Sequence, residues 1–70
     1  MPKLYSSDEI IKILLQNGFV FISQKGSHGK FEHKSSKHIV IIPVNKRQIP
    51  QGTFSSIIRQ SGLGRSDFGL

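Results

Sequence analysis

His28 is the residue of this chain best suited to chemistry. It stands in the run Gln24-Lys25-Gly26-Ser27-His28-Gly29-Lys30-Phe31, with a lysine three residues before it and another two residues after. Imidazole exchanges a proton near neutral pH. Two neighbouring ammonium groups suit an anionic substrate, and phosphate is the simplest one. RNA brings its own nucleophile, the 2′-hydroxyl. Cleaving RNA with it needs a base to take its proton and a cation to hold charge on phosphorus. His28 fits the first role, and Lys25 or Lys30 the second. DNA has no 2′-hydroxyl, so this chemistry selects RNA. The plain alternative is a turn-adjacent surface histidine with no task, and residue types alone favour it.

Other chemistries fit less well. Hard cations such as Mg²⁺ want carboxylate oxygens. Asp8 and Glu9 suit a helix start, Asp67 lies near the C-terminus, and only Glu32 is near His28. Zinc would need His28, His33 and His38, but His28 and His33 point opposite ways on one strand. No metal and no cofactor is expected. Ser27 has no visible His–Asp relay, so its hydroxyl is assigned to the turn or to a phosphate contact. Lys46 and Arg47 read equally well as phosphate contacts or as a solvated loop.

The composition frames these residues. Ten lysines and arginines face four acids among 70 residues, a net charge of +6. That imbalance predicts attraction to a polyanion, most simply a nucleic acid, although net charge also serves solubility. There is no cysteine, so no disulfide or thiolate site supports the core. No apolar run approaches the roughly 20 residues of a membrane span, and Met1–Ser6 has no signal-peptide core. A single soluble cytoplasmic domain over residues 1–70 is the expectation.

The elements follow from patterning. Ser6 and Glu9 have the spacing of a capping box, and Asp8 and Glu9 suit the positive end of a helix dipole. Ile10 with Leu14, and Ile11 with Leu15, form one buried stripe. A helix from about Ser7 to Asn17 results, ended by Gly18. Phe19–Gln24 reads as a strand, Lys25-Gly26-Ser27 as a turn and His28–His33 as a second strand. Phe31 marks the core face of that strand, so His28 and Lys30 face away from the core. Lys34–Lys37 is a polar turn. His38–Ile42 is the third strand, expected to be the best buried and stopped by Pro43. Val44 to Gln51 is a loop. Phe54, Ile57, Ile58 and Ser61 give the stripe of a second helix from about Gln51 to Ser61, with Gly52-Thr53 as its opening punctuation and Gly62 as its end. Ser66 is placed as the cap of one further turn. Short turns imply an antiparallel meander, covered on one face by both helices. This is the α-β-β-β-α order of double-stranded-RNA-binding domains, an α+β fold; by itself the order is analogy only.

The run Gly18-Phe19, then Gln24-Lys25-Gly26-Ser27-His28, then Val40-Ile41-Ile42-Pro43, then Ile49-Pro50-Gln51-Gly52-Thr53-Phe54, then Ile57 to Leu63 resembles the HicA (YcfA-like) toxin family. The resemblance spans nearly the whole chain in order. Its most specific parts are Gly-Ser-His and the Pro-x-Gly-Thr before the second helix. It implies a double-stranded-RNA-binding-like fold and a ribosome-independent mRNA endoribonuclease of a prokaryotic type II toxin–antitoxin pair. It also implies His28 as the catalytic histidine and a HicB-like antitoxin that masks the site. The toxin is expected to be a monomer when free and a hetero-oligomer with its antitoxin. Two positions depart from many members. Gly29 replaces a polar or aromatic ring, and Asn45 stands where a second histidine follows the proline of strand three. The rival expectations are a noncatalytic RNA-binding module of the same fold, and a DNA- or protein-binding domain.

Overall fold

The structure, a computed structural model, describes residues 4–70; Met1, Pro2 and Lys3 of the opening stretch lie outside the described residues. The order is α1 (Ser7–Gln16), β1 (Phe19–Lys25), β2 (His28–His33), β3 (Ile39–Pro43), α2 (Gln51–Ser61) and a 3₁₀ turn (Arg65–Phe68). The strands form one antiparallel sheet in the order β1-β2-β3. This is the expected α-β-β-β-α architecture.

The reasons are local first. Ser6 caps α1 through a full capping box: the Glu9 amide donates to Ser6 Oγ at 3.1 Å and the Ser6 amide to Glu9 Oε1 at 2.9 Å. Lys25 pairs directly with His28, which leaves a two-residue hairpin loop of Gly26 and Ser27. Gly26 takes φ +58°, a backbone conformation that costs any other residue more. The turn is thus one residue shorter than the sequence suggests.

One core joins both helices to one face of the sheet. Ile10 and Leu14 of α1, Phe54, Ile57 and Ile58 of α2, and Phe19, Phe31, Val40 and Ile42 of the strands are buried together with Ile49 and Phe68. The registers Phe31↔Val40 and Gly29↔Ile42 put these strand residues on the helix side. His28, Lys30 and Glu32 then share the opposite side with Pro43, Ile41 and Ile39.

Four details correct the sequence reading. Leu15 is 52% exposed. The stripe that enters the core is Ser7, Ile10 and Leu14, and Leu15 lies about 100° further round the helix. Strand β3 is not buried throughout: Ile39 and Ile41 alternate outward, because a three-stranded sheet with both helices on one side leaves its other side bare. Strand β3 runs one residue later at each end than His38–Ile42: it starts at Ile39 and stops at Pro43, which is itself paired opposite His28. Finally, the last turn is capped from Gly64, not Ser66: the Gly64 amide donates to Asp67 Oδ2 at 2.9 Å. That turn buries Phe68 edge-on against Phe54, with Tyr5 stacked on Phe54 and donating its hydroxyl to the Phe68 carbonyl at 2.6 Å.

Candidate functional site

The three histidines have different surroundings. His33 accepts the Ser35 and Ser36 amides on Nδ1 at 3.0 and 3.2 Å and meets Phe19 edge-on. Its ring also lies against Gly18. His38 shares a 2.7 Å hydrogen bond between Nδ1 and Ser36 Oγ, and its ring lies against Gly62. Both rings hold turns in place. His28 is exposed, and its side chain has no polar partner among the described residues. It is the imidazole free to meet a ligand.

His28 sits where two clefts meet. The first, of about 330 Å³, lies on the bare side of the sheet and is lined by Ser23, Lys25, His28, Lys30 and Ile41. The second, of about 530 Å³, runs from His28 and Ile41 to one flank of α2, with Pro43, Lys46, Pro50, Gly52, Thr53, Ser56, Ile57 and Gln60 around it. His28 and Ile41 belong to both. Lys25 and Lys30 therefore stand on one side of the imidazole and Lys46 on the other. None of these ammonium groups, nor the Arg47 guanidinium, is paired with an acid among the described residues. Positive charge that is not internally neutralised is available to a ligand.

The remaining predicted residues are placed differently. Ser27 lies in the hairpin turn and lines neither cleft; its carbonyl accepts the Val44 amide at 2.8 Å. Arg47 is exposed on the loop beside Lys46, also outside both clefts. Among the described residues, no three His, Cys, Asp or Glu side chains gather as a metal-ligand cluster.

Two positions carry the Lys46 loop. Ser7 is buried. Its amide donates to the Lys46 carbonyl at 2.9 Å, its hydroxyl donates to the Pro43 carbonyl at 2.6 Å, and the Lys46 amide donates back to that hydroxyl at 3.0 Å. Between these anchors Asn45 takes φ +62°, which asparagine tolerates better than most residues. On the core side, Gly29 makes room for the same loop: a Cβ there would lie 3.2 Å from Val44 Cγ1. The two departures, Gly29 and Asn45, thus both serve the path of the chain from β3 to Lys46.

Sequence reasoning did not single out Ser7, Ser56 or Gln60, and it gave Thr53 only a place in the motif that opens α2. Thr53, Ser56 and Gln60 sit at i, i+3 and i+7 on the flank of α2 beside its apolar stripe. That spacing was the available signal. Gln60 also closes the free edge of β3, where its Oε1 accepts the Ile41 amide at 3.0 Å.

The site predicts a salt response. Lys46→Ala together with Arg47→Ala is expected to weaken RNA binding and to flatten its log–log salt dependence by about 0.7 per lost phosphate contact. Lys46 is expected to account for most of that change, since it lines the cleft. Titration of RNA affinity against salt checks this; an unchanged slope would remove the loop from the interface.

Fold and surface define a small basic α+β protein with one free histidine between two clefts. A family profile, the HicA toxin of bacterial toxin–antitoxin systems, matches residues 7–63. The chain belongs to this family. It is thereby the toxin side of a toxin–antitoxin pair, with a cognate antitoxin as partner. No match was found among curated proteins. No helix among the described residues is long and apolar enough to cross a membrane.

Proposed function

We propose that the chain is a metal-independent endoribonuclease toxin that cleaves mRNA in a prokaryotic cytoplasm, with His28 as its acid–base group and a HicB-like antitoxin as its inhibitor. The observation that carries this reading is the contrast among the histidines. His33 and His38 are engaged in turns, whereas His28 is exposed and unpartnered between Lys25 and Lys30 on one side and Lys46 on the other.

The chemistry follows from that arrangement. A phosphodiester spanning the two clefts presents its 2′-hydroxyl to the imidazole. His28 takes the proton, the 2′-oxygen bonds to phosphorus, and the bond from phosphorus to the 5′-oxygen breaks. The leaving 5′-oxygen takes a proton from water, and His28 gives its own proton back to solvent. The ammonium groups offset the charge that grows on the phosphoryl oxygens, where preorganised cations act most strongly. An antitoxin covering the bare side of the sheet would occlude His28 and the lysines together.

The purified protein is expected to cut a labelled single-stranded RNA in the presence of a metal chelator and to leave DNA of the same sequence intact. Binding without any cleavage would favour the noncatalytic RNA-binding module. Loss of cleavage on chelation alone would require a metal.

A further inference from the structure

The cleft against α2 carries polar groups that the proposed chemistry does not use. Thr53, Ser56 and Gln60 form one wall, and Ile41 and Pro43 face them. The Gln60 amide has a fixed sense. The Ile41 amide is a donor, so the atom 3.0 Å from it is Oε1. The Gln60 –NH₂ is left as two donors with no partner among the described residues. Ser56 Oγ accepts the Arg59 guanidinium at 3.3 Å, which leaves its O–H to donate. The wall therefore offers fixed donors at Gln60, beside Thr53 and Ser56 hydroxyls that can donate or accept. Apart from the His28 imidazole at one end, no aromatic ring lines the cleft, so a base held against α2 is recognised by its edge and not by stacking on a ring. The cleft's volume, about 530 Å³, falls in the range of small-molecule sites.

We propose that this cleft is a base-recognition subsite. It takes one unstacked nucleobase beside the scissile phosphate and prefers an exocyclic keto oxygen on the pairing edge, as in uracil or guanine. Adenine has no keto oxygen and presents an exocyclic amino group there, which sets donor against the Gln60 donors. A mismatch of that kind leaves the Gln60 donors facing the base without an acceptor, and unpaired polar groups are the costly kind of error. A paired base cannot offer this edge, so the subsite also selects single strands. Placing the scissile phosphate at His28 rests on the endoribonuclease reading; the base preference itself does not.

The test is therefore equilibrium binding. The full-length His28→Ala protein is titrated with short oligouridylate and oligoadenylate in chelator, alone and with Gln60→Glu added. Glutamate keeps an acceptor for the Ile41 amide and removes the donors. Its negative charge weakens every RNA alike, so the uridylate-to-adenylate affinity ratio is the readout. The expected ratio is about tenfold in the parent, the effect of roughly one hydrogen bond, falling toward one with Gln60→Glu. Adenine self-stacking also lowers oligoadenylate affinity, but that contribution survives the substitution. An RNA with guanine in place of uracil tells the two keto bases apart. Ser56→Ala is the second variant should Gln60→Glu unfold, and it is expected to lower the ratio in part. A parent ratio near one, or a ratio unchanged by both substitutions, overturns the subsite. A wild-type protein that never cleaves RNA overturns the nuclease reading and leaves this result standing.

Discussion

Ser7→Ala is expected to destabilise the domain by about 1–3 kcal/mol, because it removes two part-buried hydrogen bonds at about 0.5–1.5 kcal/mol each. The Pro43 carbonyl loses the Ser7 hydroxyl and the Lys46 amide loses its acceptor. A chain of this size has about 4–10 kcal/mol of stability in all, so the change takes a large share of it. An N-cap such as Ser6 is worth only about 1 kcal/mol. The consequence reaches the site, because the freed loop is the one that brings Lys46 to the cleft. RNA affinity is expected to fall along with the melting temperature. Equilibrium unfolding in urea measures the first effect and RNA titration the second. A loss of stability below about 0.5 kcal/mol, the usual range for exposed positions, would mean that the Ser7 bonds do not hold the loop.

His28→Ala is expected to have the opposite profile. Acid–base catalysis of this kind is worth about 10²–10⁴-fold, so cleavage and growth arrest are expected to disappear on any practical timescale. Stability is expected to move by no more than about 0.5 kcal/mol, since the ring is exposed and makes no polar contact among the described residues. Affinity is expected to survive in large part, because Lys25, Lys30 and Lys46 remain on either side of the vacated position. Unfolding, RNA binding and induced expression in cells measure the three. A collapse of stability or of affinity in step with activity would mark His28 as a structural or binding residue.

The elements were legible where one short-range rule decides them. The Ser6–Glu9 spacing fixed the start of α1, and the single large apolar group at Phe31 oriented β2, which put His28 and Lys30 on the bare side. The reading failed where a tertiary contact decides. Ile11 with Leu15 has the same spacing as Ile10 with Leu14, yet only the second pair faces the sheet. Nothing in Phe19–Lys25 marks the irregularity between Phe21 and Ser23, because the run does not alternate. Ser7 looks like one more helix-start serine until its partners at Pro43 and Lys46, far along the chain, come into view. The flank of Thr53, Ser56 and Gln60 becomes part of a cleft only when α2 lies along the edge of β3. His28 and the lysines stood out because charge and proton chemistry are properties of single residues, whereas a cleft wall is a property of packing.

The central claim is that His28 performs a chemical step on RNA. The most direct measurement is the single-turnover cleavage rate at saturating protein, in chelator, for the wild type and His28→Ala side by side. Saturation removes any difference in binding, so the rate reports the step itself. The expected result is a 2′,3′-cyclic phosphate product from the wild type and a rate lower by about 10² or more in the variant. Equal rates in the two proteins would contradict it.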